Sequence, residues 1–355
     1  MRDNVSPMRL QWIDMAKGLG ILLMILGHMH TGQPIRDFIY SFHMIMFVMI
    51  SGYLYKETVE LKRYILHKIK TLLLPYFMTN FIAYFVRLFM LTLAGMFTVS
   101  GALGILRAQI MTTLGGSSFY AVHFITIETC GPIWFVTFLF GIVIFYALLN
   151  RLRMKNIVIQ DLVYLVIIFC LTLCGKTYAS HNGFLPWNLD IVPMGMFFYH
   201  IGVMVRRYQV LEHIRKYCIW VILLLIWLSF YPRTGSIVFA TREYLGFPYS
   251  ILISVCGSLV VMLAMKELEH VKIAKIPNRF FAWVGSNSMI ILAIHTIEAL
   301  HVEWIEHLQE RIGNLWLSFV IYAIVVLLCT FAYITGKNYA LKFFKNIRQK
   351  NNAKS

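Results

Sequence analysis

Three polar residues interrupt the first apolar stretch of the chain, which reads IDMAKGLGILLMILGHMH. In a helix, Lys17 and His28 are about 20° apart around the axis, and Asp14 lies within about 60° of both. Lys17 and His28 are then separated by about 16 Å along the axis. One helix face can therefore present a carboxylate, a cation and an imidazole, groups that bind anions and move protons. An ion pair between Asp14 and Lys17, three residues apart, explains the first two equally well.

Two more histidines are expected at the depth of His28. His43 follows it across the short turn TGQPIRD, and His295 lies well inside a later apolar helix. Ionisable residues within a membrane usually face the interior of the bundle and serve a function. We interpret the three imidazoles as a layer that handles a proton near a reacting hydroxyl. No pair has the spacing and carboxylate neighbours of a zinc site, so no metal is expected.

The residues that carry this chemistry lie in a chain with the composition of an integral membrane protein. Of its 355 residues, 59% are hydrophobic and 14% are charged. Apolar runs of about 20 residues, the length that a hydrocarbon core requires, recur along the chain. They predict an all-α polytopic helix bundle of about ten spans, with no separate soluble domain. The predicted spans are 11–30, 37–55, 71–93, 131–149, 157–175, 190–205, 217–232, 248–266, 280–300 and 314–336.

The distribution of Lys and Arg residues predicts the orientation of this bundle. Most of the 32 lie in the N-terminal segment, in alternate loops and in the tail 337–355. Because short positive loops stay on the cytoplasmic side, both termini are predicted to be cytoplasmic, in a multi-pass protein of the plasma (inner) membrane. The basic tail suits anionic membrane lipids. The net charge of +16 thus reflects topology, and no nucleic-acid partner is predicted, since no groove of alternating aromatic and basic residues is visible.

Aromatic and polar residues gather in segments that this orientation places at the outer end of the bundle. Tryptophan rings stack on the C–H patches of sugars, while amides and carboxylates bond sugar hydroxyls. An interfacial tryptophan belt with polar flanks is the alternative interpretation. As a group, the residues predict a sugar-binding site; they are Glu128, Trp134, Asn182, Trp187, Asn188 and Asp190. Nearby, the amphipathic stretch GALGILRAQIMTTL is expected along the membrane surface.

Basic residues at the inner end suggest a second kind of contact. Arg63, Lys68 and Lys70 come shortly before the third span, on the side predicted for Lys17. Such a group of cations suits phosphates, and ordinary retention of positive loops in the cytoplasm explains it equally well. We therefore predict these four residues as binding the phosphates of a cofactor.

Several motifs occur in an order typical of one family. They are WIDMAKGLGILLMILGH, SFHMIMFVMISGYL, LLLPY, PIWFVTFLF, PWNLD with MGMFFYHIG, and GSNSMIILAIH. The chain resembles the membrane acyltransferase 3 family, and more closely its fucose 4-O-acetylase-like branch. In that branch an Arg or Lys precedes a first-helix histidine by eleven positions, as Lys17 precedes His28. Ile45 departs from the usual histidine-methionine-proline, and Lys68 and Lys70 stand where arginines, which bind phosphate through a planar fork, are common.

The resemblance implies that the protein transfers an acyl group, usually acetyl, from cytosolic acyl-coenzyme A to a hydroxyl of an envelope or exported glycan, free or lipid-linked. It implies His28 as the catalytic histidine and Lys17 as its basic partner. We hypothesise that His28 is the general base, although a transient acyl-histidine fits the same geometry. His43, Ser41 or Asn287 would orient groups or bond the thioester oxygen.

The predicted site residues thus fall into three groups. Those predicted as catalytic are Asp14, Lys17, His28 and His43. Those predicted to bind acetyl-coenzyme A, a co-substrate, are Lys17, Arg63, Lys68 and Lys70. Those predicted to bind the acceptor are the six outer-end residues together with Ser41, Asn287 and His295.

Two other classes of protein compete with an acyltransferase. In a transporter or flippase without covalent chemistry, the polar face of the first helix would relay protons or substrate. Against that class, the sequence has no paired inverted-repeat signal and no matched broken helices. A scaffold is the third class, and the same polar face argues against it.

Overall fold

The protein folds almost entirely into helices, as the sequence predicts. The structure is a computed structural model that describes residues 10–29, 31–57, 60–117, 121–122, 125–126, 128–234 and 236–352. The N-terminal helices are α1 (Gln11–His28), α2 (Gln33–Tyr40), α3 (His43–Tyr53), α4 (Leu61–Lys68), α5 (Leu74–Leu93) and α6 (Val99–Gly115). The middle helices are α7 (Trp134–Leu149), α8 (Ile157–Asn182), α9 (Val192–Arg207), α10 (Val210–Lys216) and α11 (Ile219–Thr234). The C-terminal helices are α12 (Tyr249–Leu268), α13 (Lys275–Ser286), α14 (Ser288–His301), α15 (Trp304–Ile312) and α16 (Leu315–Asn352).

Short strands and turns connect these helices. Strand β1 (Ala121–Val122) pairs antiparallel with β2 (Ile125–Thr126), and β3 (Ile237–Val238) pairs antiparallel with β4 (Glu243–Tyr244). A π-helical turn, Ile69–Leu73, joins α4 to α5 directly before Pro75. Proline lacks an N–H and crowds the carbonyl four residues earlier, which accounts for the irregular turn at this point.

Seven described segments are long and apolar enough to cross a membrane. They are Gln33–Tyr53, Leu61–Leu93, Gly131–Leu149, Ile157–His181, Pro186–Arg207, Tyr249–Leu268 and Leu315–Phe343. Two helix pairs pass the same test only together: α10 with α11, bent by 97°, and the segment containing α13 with α14, bent by 65°. The described residues therefore contain up to nine apolar spans. This pattern agrees with the predicted polytopic bundle. The total of ten spans and the cytoplasmic location of both termini stay predictions.

Helix α1 is not among those apolar segments, although most of its residues are buried. Asp14, Lys17 and His28 make it more polar than the other spans. It is held instead by close packing against α13. A Cβ atom on Gly18 would lie 2.1 Å from the Phe281 carbonyl oxygen, and one on Gly285 would lie 1.7 Å from the carbonyl oxygen of Asp14. Only glycine allows the two backbones to approach this closely.

The bend between α13 and α14 directs α14 along the other end of α1. Asn287 lies at the bend, and its side-chain amide donates a hydrogen bond to the Trp283 carbonyl at 2.8 Å. The sequence predicts a single span over 280–300, whereas the structure divides it at this residue. As a result, Ser288 and His295 both lie beside α1.

Helix α6 packs antiparallel against α5. The Tyr76 hydroxyl donates to the Thr113 carbonyl at 2.8 Å, and the Gln109 amide donates to the Asn80 side chain at 3.1 Å. The amphipathic stretch expected along the membrane surface is thus fixed to α5 by buried polar contacts. Its C-terminal end meets the loop before α9, described below.

Candidate active site

A cavity of about 180 Å³ lies beside the polar face of α1. Lys17 and His28 both line it, so the cavity follows α1 over the roughly 16 Å that eleven helical residues span. Its remaining walls come mainly from apolar side chains of α3, α7 and α14, such as Phe47, Leu139 and Leu292. The polar groups of the first helix therefore face the protein interior, as the sequence predicts.

His28, the last residue of α1, carries the accessible imidazole of this cavity. It keeps an exposed surface, whereas His295 on α14 is fully buried beside it. The Nδ1 atom of His28 and the Nε2 atom of His295 are 2.9 Å apart, and the ring planes are inclined by 17°. The structure thus joins two of the three predicted histidines directly, and leaves Nε2 of His28 on the ring edge away from His295.

The hydrogen bonds continue behind His295 to two residues that the sequence analysis missed. His295 Nδ1 lies 2.7 Å from the Tyr322 hydroxyl of α16, which donates to Glu298 Oε2 at 2.5 Å. The other oxygen, Oε1, accepts the backbone N–H of Ile305 at 2.8 Å. Glu298 could have been found, since it lies three residues after His295 in an apolar helix. Tyr322 carries no such signal, because tyrosines are common in membrane helices.

His43, the first residue of α3, lines the same cavity and is 2% exposed. Its Nδ1 lies 2.8 Å from the Ile39 carbonyl oxygen. Because a carbonyl can only accept, Nδ1 carries the proton and neutral His43 has its lone pair on Nε2. The Tyr40 ring packs edge-on against the imidazole, with centroids 5.0 Å apart. Among the described residues, no group of three His, Cys, Asp or Glu side chains could hold a metal ion.

Asp14 and Lys17 form the ion pair that was the alternative interpretation of these residues. Lys17 Nζ lies 2.7 Å from Asp14 Oδ1, and the two side chains are 25% and 7% exposed. Lys17 also lines the cavity, so its ammonium group is held by Asp14 at the cavity wall. The ammonium group of Lys17 is therefore both the cation of the ion pair and the cation at the cavity wall.

Among the described outer-end residues, Trp134 is the one that lines the cavity. It begins α7, its side chain is 8% exposed, and Pro132 and Phe135 line the cavity on either side of it in sequence. The side chain of Asn182 lies outside the described part of the structure.

Trp187 and Asn188 connect the loop before α9 to the end of α6. The indole N–H of Trp187 donates to the Leu114 carbonyl at 2.7 Å. The amide of Asn188 donates to the Gly116 carbonyl at 2.8 Å, and Asn188 is fully buried. These side chains donate hydrogen bonds to carbonyl groups at the C-terminal end of α6. That they also contact a sugar stays a prediction.

Asp190 forms a buried ion pair with Arg242, a residue not predicted from the sequence. Arg242 Nε and Nη2 donate to the two carboxylate oxygens at 2.9 and 3.1 Å, and its Nη1 donates to the Ala240 carbonyl at 2.9 Å. Ala240 lines the cavity, so the pair fixes part of the cavity wall. Burial, with the Asp190 carboxylate nearby, raises the pKa of Tyr244 in β4, which keeps its hydroxyl neutral.

Glu128 lies away from the histidines. Its carboxylate is 3.1 Å from Arg87 Nη1, and both side chains line a separate cavity of about 570 Å³ between α5 and the end of α14. Ser41 and Asn287 do not line the cavity of His28 among the described residues. The Ser41 hydroxyl donates to the Phe38 carbonyl at 2.7 Å and accepts the Trp227 indole N–H at 2.9 Å.

Of the predicted phosphate-binding residues, Lys17 lines that cavity, and the other three lie outside it as far as the structure describes it. Arg63 and Lys68 are on α4, and Lys70 is in the π-helical turn. Lys68 Nζ lies 5.3 Å from the centre of the Tyr64 ring. A role of these cations in holding phosphates stays a prediction.

A helix bundle with an internal cavity that joins a cation to a histidine is the architecture of a polytopic membrane protein with a buried polar site. The profile of a known family, acyltransferase 3, described as an acyltransferase domain, matches residues 10–341. The chain therefore belongs to this family and is a membrane acyltransferase. No curated protein and no solved structure matches it.

Proposed function

We propose that the protein is an O-acetyltransferase of the fucose 4-O-acetylase-like branch. In this proposal it moves an acetyl group from cytosolic acetyl-coenzyme A to a hydroxyl of an envelope or exported glycan, free or lipid-linked, in the plasma (inner) membrane. The observation that carries the proposal is the single cavity lined by both Lys17 and His28. Membership of the acyltransferase family supplies the type of reaction.

The shape and polarity of the cavity suit the acyl-bearing arm of the donor. Its walls are mainly apolar, and at about 180 Å³ it admits a thin chain rather than a nucleotide. The nucleotide would remain at the inner face, where Arg63, Lys68 and Lys70 are predicted to lie. Lys17 would meet the polar part of the arm, and the thioester would reach His28.

The chemistry follows from the ring edge of His28 that faces away from His295. As the acceptor hydroxyl attacks the thioester carbon, its proton moves to Nε2 of neutral His28. The C–O bond forms, the C–S bond then breaks, and the imidazolium returns the proton to the leaving thiolate. Lys17, fixed by Asp14, holds the donor in position. His43 lines the same cavity, and its Nε2 can orient the acceptor hydroxyl.

The acceptor would approach from the outer end, past Trp134. An aromatic ring at a cavity wall can stack on the apolar face of a sugar. The loop fixed by Asp190 and Arg242 shapes this approach. This assigns Trp134 to the acceptor and Trp187 to the support of the loop.

A direct test measures thioester consumption by the purified protein in detergent. Acetyl-coenzyme A and cell-envelope glycans are added, and free thiol and glycan-bound acetyl groups are measured together. We expect both in equal amounts, and a fall of about a hundredfold or more in His28→Ala. His307→Ala, at a side chain that is 69% exposed, is the matched control. Full transfer by His28→Ala would refute the proposed role of His28.

The same assay separates the enzyme from the competing transporter. The two bent helix pairs resemble the discontinuous helices of transporters, which keeps that class in view. A transporter would move a substrate without releasing thiol. Glycan movement in the absence of thioester consumption would therefore replace the proposed function.

A further inference from the structure

We propose that Glu298, Tyr322 and His295 fix the proton of His28 on Nδ1, and so reserve Nε2 as the base that faces the cavity. This inference rests on the proposed function of His28. The three residues act through His28, because His295 and Tyr322 are fully buried and neither lines the cavity among the described residues. They are positioning residues and do not touch the donor or the acceptor.

The direction of the hydrogen bonds is set at Glu298. Its Oε1 accepts the backbone N–H of Ile305 at the start of α15, and its Oε2 accepts the Tyr322 hydroxyl. Both carboxylate oxygens therefore act as acceptors. The partial positive charge of the N-terminus of α15, a helix of nine residues, favours a carboxylate at this place.

With Glu298 as a carboxylate, each following hydrogen bond has only one direction. Tyr322 has a single hydroxyl proton and gives it to Glu298, so its oxygen accepts a proton from His295 Nδ1. Neutral His295 then has its lone pair on Nε2, which accepts the proton on Nδ1 of His28. Neutral His28 is left with its lone pair on Nε2. The carboxylate thus specifies the tautomer of an imidazole three hydrogen bonds away.

The same arrangement stabilises the charge that forms during transfer. When Nε2 of His28 takes the acceptor proton, the resulting imidazolium is joined through His295 and Tyr322 to a carboxylate. An acid that orients a histidine and balances its charge contributes in this way to serine hydrolases. Here a second histidine and a tyrosine lie between the acid and the base.

Two substitutions change this series of hydrogen bonds in different ways. Tyr322→Phe removes one oxygen, so the tautomer of His295 is no longer fixed. Glu298→Gln keeps the shape of the side chain but reverses the direction of the hydrogen bonds between residue 298 and His28. Its amide oxygen must face the Ile305 N–H, which places the amide NH₂ against the Tyr322 oxygen. Tyr322 then donates to His295, His295 donates to His28, and the proton of His28 moves to Nε2.

The test uses the reaction of diethyl pyrocarbonate with the purified protein in detergent, in the absence of any donor. This small reagent acylates an unprotonated imidazole nitrogen, and peptide mass spectrometry measures the rate at His28. We expect modification of His28 to slow by about twofold in Tyr322→Phe, where the two tautomers become comparable, and by up to about a hundredfold in Glu298→Gln, where the proton is held on Nε2. Tyr333→Phe, at an exposed position of the same helix, should react as the unaltered protein does.

Kinetics of acetyl transfer provide a second readout. The turnover number should fall in the same order, with the KM for acetyl-coenzyme A unchanged, because neither residue contacts the donor. Unaltered reactivity and turnover in both variants, at unchanged gel-filtration profiles, would overturn the inference. If the reactivity pattern is as expected but the unaltered protein consumes no thioester, the proposed function fails and the proton arrangement stands.

Discussion

Nδ1 of His28 and Nε2 of His295 lie 2.9 Å apart, although 267 positions separate the two residues in the sequence. One comes from the end of the first helix and the other from a helix near the C-terminus. Their contact joins the accessible imidazole of the cavity to the buried groups of α14 and α16. The site is therefore a product of the whole bundle.

His28 and His43 can be distinguished as candidate bases by glutamine substitution. His43→Gln keeps a donor for the Ile39 carbonyl and removes one imidazole from the cavity wall. We expect it to lower acetyl transfer by less than about tenfold, whereas His28→Gln should lower it by about a hundredfold or more. Turnover of acetyl-coenzyme A is the measurement. The reverse order would make His43 the base.

Lys17→Met tests whether the cavity cation holds the donor. We expect the KM for acetyl-coenzyme A to rise by about tenfold, which corresponds to about 1.4 kcal/mol of lost binding, while turnover changes less. Because Lys17 is the ion-pair partner of Asp14, this substitution will also lower thermal stability. Adding Asp14→Asn removes the negative charge that Lys17 balances, so the double variant should regain stability and keep the high KM. A double variant with a normal KM would assign Lys17 to the ion pair alone.

Asp190→Asn separates a structural role from sugar binding. The Arg242 side chain is 6% exposed, and losing a buried partner typically costs about 3–5 kcal/mol. We expect a clear fall in the unfolding temperature in detergent, followed by tryptophan fluorescence. Asp37→Asn, whose carboxylate accepts an exposed hydrogen bond from Gln33, is the control. A raised KM for the glycan at unchanged stability would restore the prediction that Asp190 binds sugar.

Gly285→Ala tests the close crossing of α1 and α13. The added Cβ would lie 1.7 Å from a backbone oxygen of Asp14, so the helices must move apart. Overpacking of this kind typically costs about 1–3 kcal/mol, and here it also shifts the bend before α14. We expect lower thermal stability together with lower turnover. Gly104→Ala in α6, which has open space around it, should leave both nearly unchanged.

The membrane spans were largely predictable because the bilayer imposes length and polarity on the sequence. The predicted span 131–149 coincides with Gly131–Leu149. The bends between α10 and α11 and between α13 and α14 were not predicted. Hydropathy records how apolar a segment is and carries no information about its direction. The bend at Asn287 is the one that matters for the site, because it turns α14 toward α1.

Within the site, depth in the membrane predicted the meeting of His28 with His295, but not the groups behind them. Glu298 could have been found from its spacing to His295. Tyr322 could not, because its role depends on how α16 packs against α14. Among the residues predicted for the outer end, Asn188 and Asp190 have the right chemistry for a sugar site. The same polar atoms can instead form hydrogen bonds with a backbone carbonyl or an arginine. Only the packing of the helices decides whether they bind a sugar or these protein groups.

Helix α1 has a consequence for how the protein is made. It is synthesised before α13, is more polar than the other spans, and makes its most extensive helix contact with α13. Its final packing must therefore wait until α13 has been synthesised. A truncated chain lacking α13 and α14 has neither the glycine crossing nor the partner of His28. Assembly of the site is thus delayed until α13 and α14 have been inserted, so shorter chains lack the arrangement that the proposed activity requires.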